Sequence, residues 1–204
     1  MIPAVPSLPM IRRALKQHVP DRQPHLGRAS AVLVPLLQRG GGLDILFTER
    51  SMDLRSHPGQ VSFPGGRVDP TDKDARAAAL RESLEEVGLR AEHVEIIGEL
   101  DDCPTFVTGF VITPVVAVID PLAFTDAGRY PWAPSAAEIA SLHELPLAGF
   151  VDPANRRTER RKHEGEVYEL IWYTVRGTTV WGATARIVRQ LIDLSVDPGL
   201  QEIQ

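Results

Sequence analysis

Glu82, Glu85 and Glu86 recur at i, i+3 and i+4 in residues 75–87, a stretch free of Gly and Pro that should be helical. On a wheel of about 100° per residue with Glu82 at zero, Glu85 falls at about 300° and Glu86 at about 40°. Three carboxylates therefore share one narrow face. Like charges at such spacing destabilise a helix by about 0.2–0.5 kcal/mol per pair unless a cation neutralises them. Converging hard oxygens are what Mg²⁺ or Mn²⁺ prefers. The plain alternative is a solvated acidic face, with Arg81 paired to Glu85 at i,i+4. The loop leading into the helix favours the metal. In Phe63-Pro64-Gly65-Gly66-Arg67-Val68-Asp69-Pro70-Thr71-Asp72, adjacent glycines let backbone approach a phosphate or a metal ion closely, and Pro64 stiffens the approach.

A carboxylate face is useful only if the opposite face is anchored. The same wheel puts Ala77, Leu80, Leu84 and Val87 between about 140° and 220°, as an apolar face for the core, and Gly88 ends the helix. Upstream, residues 29–37 read as a buried strand, Gly40-Gly41-Gly42 as a turn and residues 43–50 as a second strand, together a hairpin. Residues 51–74 are too long for an idle connection. Further strands are expected at 94–100, 109–119 and 167–175, a short helix near 135–142 and a last helix at 183–194. In that last helix Ile187, Val188, Leu191 and Ile192 form a core stripe; Trp172 and Trp181 are read as core too. Ser7 can cap a helix bearing Leu8, Ile11 and Leu15, so the basic first segment reads as a docked helix rather than a transit peptide. Strands interleaved with helices give a mixed α/β fold: one domain over residues 1–204, with a helical extension over about residues 1–28.

Composition narrows the function classes. With 204 residues, 43% hydrophobic and 24% charged, the chain suits one globular core, and no apolar run is long enough to span a bilayer. A net charge of -5 opposes nucleic acid or anionic lipid as the main partner. The lone Cys103 excludes an internal disulfide and a Cys-cluster metal site and suits a reducing, cytoplasmic compartment. The six histidines show no paired ligand spacing, so no zinc site is assigned. Residues 156–164 carry five basic and two acidic side chains, read first as a solvated loop and second as a place for a phosphate.

The motif residues resemble the Nudix hydrolases, whose signature is G-x5-E-x7-R-E-U-x-E-E-x-G-U. Arg81-Glu82-Ser83-Leu84-Glu85-Glu86-Val87-Gly88-Leu89 matches its second half, and Gly66 opens the first. The chain departs at Asp72, which stands for Glu one residue further from Arg81, and at Ser83, where an aliphatic is usual. Upstream, Leu46-Phe47-Thr48-Glu49-Arg50-Ser51, then Arg55, Gly59 and Phe63-Pro64-Gly65-Gly66, is similar to the LLTxRS-x3-R-x3-G-x3-FPGG motif of coenzyme A pyrophosphatases. Weaker similarity extends over residues 109–114 and 181–186.

The resemblance implies a Nudix-type three-layer αβα sandwich. It also implies metal-dependent cleavage of coenzyme A to 4'-phosphopantetheine and adenosine 3',5'-bisphosphate with Mg²⁺ or Mn²⁺. It makes Glu82, Glu85 and Glu86 the metal carboxylates, with the Gly65 carbonyl as a further ligand. Glu82 is also placed to orient or deprotonate water, and Arg81 to fix the carboxylate face; Asp72 is read as a partner for Arg81. Glu138 resembles a second acid used as base or ligand, and is equally readable as an exposed helix acid. Arg50, Ser51, Arg55, His57, Gln60 and Gly66 become substrate contacts; Arg50 is otherwise a solvated strand end and His57 a turn residue. The partner is then a small-molecule pyrophosphate, with a homodimer as a family expectation. The alternatives are a Nudix hydrolase of ADP-ribose or a nucleoside triphosphate, a non-catalytic Nudix-fold sensor and, more remotely, a prenyl diphosphate isomerase.

Overall fold

Gly40 and Gly41 both take positive φ, 45° and 98°, which lets two strands meet through a two-residue turn, and Arg39 pairs with Gly42 across it. They join β1 (Arg28–Arg39) to β2 (Gly42–Arg50), the hairpin expected from the sequence. The computed structural model describes residues 4–54, 57–105, 108–125, 127–163 and 166–196. β1 runs parallel to β7 (Phe110–Ile119), from the Arg28↔Phe110 pair to Leu36↔Val118. β7 also pairs antiparallel with β5 (Val94–Glu99) and β6 (Cys103–Pro104). On the other side, β2 meets β3 (Val61–Ser62) and β8 (Ile139–Pro146), while β4 (Gly65–Arg67) joins the first half of β1. These strands make one mixed eight-stranded sheet.

Alternate side chains of β1 serve opposite layers. Ala31, Leu33 and Leu37 pack with Ala78, Ala79 and Val87 of α2 (Ala75–Val87). Val34 and Leu36 pack on the other side with Ile11 and Leu15 of α1 (Leu8–Gln17) and Ile187, Val188 and Leu191 of α4 (Gly182–Val196). That second layer also takes α3 (Leu147–Val151) and a smaller antiparallel sheet of β9 (Arg156–His163), β10 (Glu166–Val175) and β11 (Thr178–Trp181). The arrangement is the expected three-layer αβα sandwich. The N-terminal helix is docked: Ile11 is fully buried, and Arg12 grips Glu95 of β5 through two bonds of 2.6 Å.

Four expectations are corrected. Residues 139–146 form strand β8 and not a helix near 135–142, because β2 offers an open edge and Asp44–Arg50 pair along it; tertiary pairing overrides a weak helical preference. The basic run is strand β9 rather than a loop, an edge strand whose charges are compatible with pairing on one side only. Trp181 is 39% exposed and Trp172 lies half-buried beneath the Arg157 guanidinium at 4.3 Å; the register Arg157↔Trp172↔Trp181 puts all three on the outer face, while Ile171 and Tyr173 face the core. Finally, α2 buries a face turned away from the expected one, which keeps Val87 and packs Leu80 at its edge. Leu84 is 53% exposed, whereas Ser83 is fully buried and Glu86 only 5% exposed. Ala78, Ala79 and Ser83 are small enough to bring the helix close to the sheet, and the buried Ser83 hydroxyl is satisfied by donating to the Ala79 carbonyl at 2.7 Å.

An Ile11→Ala variant, emptying a fully buried position on α1, is expected to lose about 2–5 kcal/mol of unfolding free energy. Urea unfolding indistinguishable from wild type would show that α1 stands outside the cooperative core.

Candidate active site

The chemistry-bearing helix is fixed at both ends. Asp74 caps α2 by accepting from the Ala77 N–H at 2.9 Å, and Gly88, at φ 69°, ends it while its N–H returns to the Leu84 carbonyl. Between these caps, α2 lays Glu82 and Glu86 against the double glycine of β4. A Cβ at Gly66 would sit 2.4 Å from a Glu82 carboxylate oxygen, and one at Gly65, whose φ is 153°, would sit 2.3 Å from the Ala31 carbonyl. A side chain at Gly65 would strike the β1 backbone, and one at Gly66 would displace the Glu82 carboxylate. Gly65 faces Val32 as a non-hydrogen-bonded partner, since Leu33 donates to Pro64 and Val68 to Ala29 on either side. Its N–H instead donates to Glu86 Oε2 at 3.1 Å.

Arg81 organises the acidic side. Its Nε and one Nη hold Asp72 in two bonds of 3.1 and 3.0 Å, its other Nη reaches Glu82 at 2.9 Å and Glu85 at 3.3 Å, and it also donates to the Arg67 carbonyl. The paired guanidinium holds the Asp72 carboxyl below its usual range, and the carboxylates push the Arg81 pKa up. Asp72, offset from the family's acid, thus anchors Arg81 from the loop. Burial pushes Glu82 up against the opposing pull of Arg81. Glu86 is raised from 4.5 to about 7, mainly by burial, with the Gly65 N–H resisting and the charges of Glu82 and Glu138 adding to the rise. Glu85 is the outlier, with a side chain 58% exposed. Glu138 is exposed in the turn before β8, and its carbonyl accepts from the Ser51 N–H at 2.8 Å, tying that turn to the end of β2.

The donor chemistry suits a hard divalent cation: closely placed carboxylates whose pKa values are raised by burial and by the charges of neighbouring acids, beside a glycine carbonyl outside the strand ladder. Arg81 engages two of those carboxylates, and among the described residues no three His, Cys, Asp or Glu side chains stand in ready ligand geometry. Glu82 and Glu86 with the Gly65 carbonyl are the residues that would hold Mg²⁺ or Mn²⁺, with Glu85 and Glu138 at the rim.

On the other side of the Gly65-Gly66 strand lies a cavity of about 330 Å³. Arg50, His57 and Gln60 line one side of it and Phe110 and Thr184 another. His57 reaches its place through a positive φ of 55°. The Arg50 Nε–H is buried without a hydrogen-bond partner, while the Arg50 charge is felt at Glu86. Ser51 does not line this cavity; its hydroxyl accepts from the Asp53 N–H at 3.3 Å. Arg55 lies outside the described residues. The wall residues Thr105, Thr108, Phe110 and Thr184 were not singled out from sequence. The signal for two of them was present, because Phe110 and Thr184 fall in the segments of weaker similarity. No described residue of β9 lines the cavity, although the basic run was a place proposed for phosphate.

The raised Glu86 pKa has a stability consequence in the metal-free protein. The native state holds this proton more tightly than the unfolded chain, so charging Glu86 has no effect below about pH 4.5, opposes folding increasingly up to about pH 7, and opposes it fully above. Glu86→Gln is therefore expected to exceed wild type in unfolding free energy by up to about 3 kcal/mol at pH 8, the gap closing towards pH 4.5. Equal stability across that range in urea titrations would place Glu86 in a solvated site instead.

Residues 27–176 match the NUDIX domain. The chain is 41% identical over 177 residues to the uncharacterized Nudix hydrolase NudL of Salmonella paratyphi B, covering 84% of this chain and 85% of that protein. NudL of Salmonella newport is similar to the same extent, 41% over 177 residues. Among solved structures, a NUDIX hydrolase from Alicyclobacillus acidocaldarius has a similar fold, with a TM-score of 0.50 at 16% identity over 87% of this chain and 97% of that one. A double glycine clasped by the acids of one helix, a match over most of the chain and relatives of similar length agree: the chain belongs to the Nudix hydrolase family.

Proposed function

We propose that this Nudix hydrolase cleaves the pyrophosphate of coenzyme A, and of its acyl or oxidised derivatives, to 4'-phosphopantetheine and adenosine 3',5'-bisphosphate. We further propose that it works as a single catalytic domain with α1 as its extension, in a reducing cytoplasmic compartment. The observation that carries the reading is Arg50, whose buried Nε–H has no partner in a cavity wall that also bears His57, Gln60 and Gly66. A buried, unsatisfied cationic donor calls for an anionic oxygen. Arg50 stands at a specified position of the motif that residues 46–66 share with coenzyme A pyrophosphatases, and His57 and Gln60 lie within its span, which supports coenzyme A over other diphosphates.

In this reading the substrate's pyrophosphate lies across the Gly65-Gly66 strand, between Arg50 and the carboxylates of α2. Mg²⁺ or Mn²⁺ held by Glu82, Glu86 and the Gly65 carbonyl, with Glu85 next in line, supplies charge neutralisation and Lewis acidity there. Arg50 donates to a phosphoryl oxygen and balances charge that develops on it. Arg81 keeps Glu82 oriented through Asp72. Glu82 or Glu138 accepts the proton of the attacking water as its oxygen bonds to one phosphorus. The bridging P–O bond breaks in line, and its electron pair leaves with the other phosphate.

Incubation with coenzyme A, ADP-ribose and NADH in Mg²⁺ or Mn²⁺, with chromatographic separation of products, is expected to show the highest kcat/KM for coenzyme A. Much faster turnover of ADP-ribose would make the substrate assignment wrong. Glu86→Gln should retain the wild-type circular dichroism spectrum and lose roughly a hundredfold or more in metal-dependent kcat; near-normal turnover would remove Glu86 from the site.

A further inference from the structure

Many arginines among the described residues are committed to carboxylates, among them Arg81 to Asp72, Glu82 and Glu85, Arg76 and Arg22 to Glu99, Arg39 to Glu144, Arg12 to Glu95, and Arg157 to Glu159. Arg28 and Arg67 are different. Their guanidinium carbons lie 4.2 and 5.4 Å from the centroid of one ring, Phe110, and no described carboxylate pairs with either. Arg28 spends one bond on the Thr108 carbonyl at 3.1 Å.

Sheet register brings the three together. Arg28 pairs with Phe110 across β1 and β7, and Ser30 pairs with Arg67 across β1 and β4, so Arg28, Ser30, Arg67 and Phe110 project from one face. That face carries the cavity: Ser30, Arg67, Thr108 and Phe110 belong to its wall, beside Gly65 and Gly66. Two cations sharing a ring repel each other in a chain whose net charge is -5 and which has acids to spare. Stacking on Phe110 holds both planar forks with free donors at the cavity rim, the geometry that suits an oxygen-rich dianion.

We infer that Arg28, Arg67 and Phe110 form a subsite for a phosphate monoester of the substrate, separate from the pyrophosphate that is cleaved. Resting on the proposed substrate, that group is the 3'-phosphate of coenzyme A, which ADP-ribose and 3'-dephospho-coenzyme A lack. The subsite makes the enzyme selective rather than fast. It takes the role considered from sequence for residues 156–164, whose Arg157 and Arg161 are instead bound to Glu159.

The test compares wild type, Arg28→Gln, Arg67→Gln and Arg28→Lys with coenzyme A and 3'-dephospho-coenzyme A. The wild-type preference in kcat/KM for coenzyme A is expected to fall about tenfold or more in each Gln variant, through KM, with Lys retaining part of it. A preference unchanged in the variants, or a loss equal on both substrates, overturns the subsite. Calorimetric binding of adenosine 3',5'-bisphosphate and adenosine 5'-phosphate gives a readout independent of turnover. Wild type should favour the bisphosphate and the Gln variants should lose that preference, whereas equal binding of the two by wild type overturns the inference. Failure of wild type to hydrolyse either coenzyme A form, while another diphosphate is cleaved, defeats the substrate reading alone; the binding comparison then decides the subsite.

Discussion

The close approach of α2 to the double glycine of β4 is the constraint on which the site depends. It sets a face of small residues that also carries the buried Glu86 against the sheet. Gly66 leaves room for the Glu82 carboxylate where a methyl group would stand 2.4 Å from it, and Gly65 turns its N–H to Glu86. Ala78, Ala79 and Ser83 permit the approach from the helix side, each fully buried. The departure at Ser83 from the family's aliphatic residue fits here, because a small side chain whose hydroxyl is satisfied within the helix fills the contact without widening it.

This packing leaves charge uncompensated on both sides of one thin strand. On the α2 side, burial raises the pKa of both Glu86 and Glu82, the Glu82 charge adds to the rise at Glu86, and Arg81 restrains the group without neutralising it. On the cavity side stand Arg50, with its orphaned Nε–H, and the stacked pair Arg28 and Arg67. Neither arrangement favours folding; both suit a ligand that brings cations to the first side and phosphates to the second. The net charge of -5 describes neither side, since opposing charges are segregated by a strand only a few residues long.

The acids, Arg81 and the glycines were legible because a helical period and a fixed motif register are local properties of the chain. The hairpin, α1, α2, β5, β7, β10 and α4 were legible for the same reason. What failed was non-local. Residues 139–146 have helical composition yet pair with β2, and the basic run becomes the edge of a second sheet. The inward face of α2 could not be read from hydrophobicity, because the buried side contains Ser83 and Glu86 while Leu84 is left in solvent.

The sequence by itself determined the family and which side chains meet at its motif: the carboxylates of one helix, the glycines that allow them near a backbone, and the arginine that pairs with them. Only the tertiary structure decided what surrounds them. Arg28, Arg67 and Phe110 lie far apart along the chain and form a group because β1 has β4 on one edge and β7 on the other. Ligand-recognising surfaces depend on such registers, and a register is set by the packing of whole layers, which no local spacing encodes.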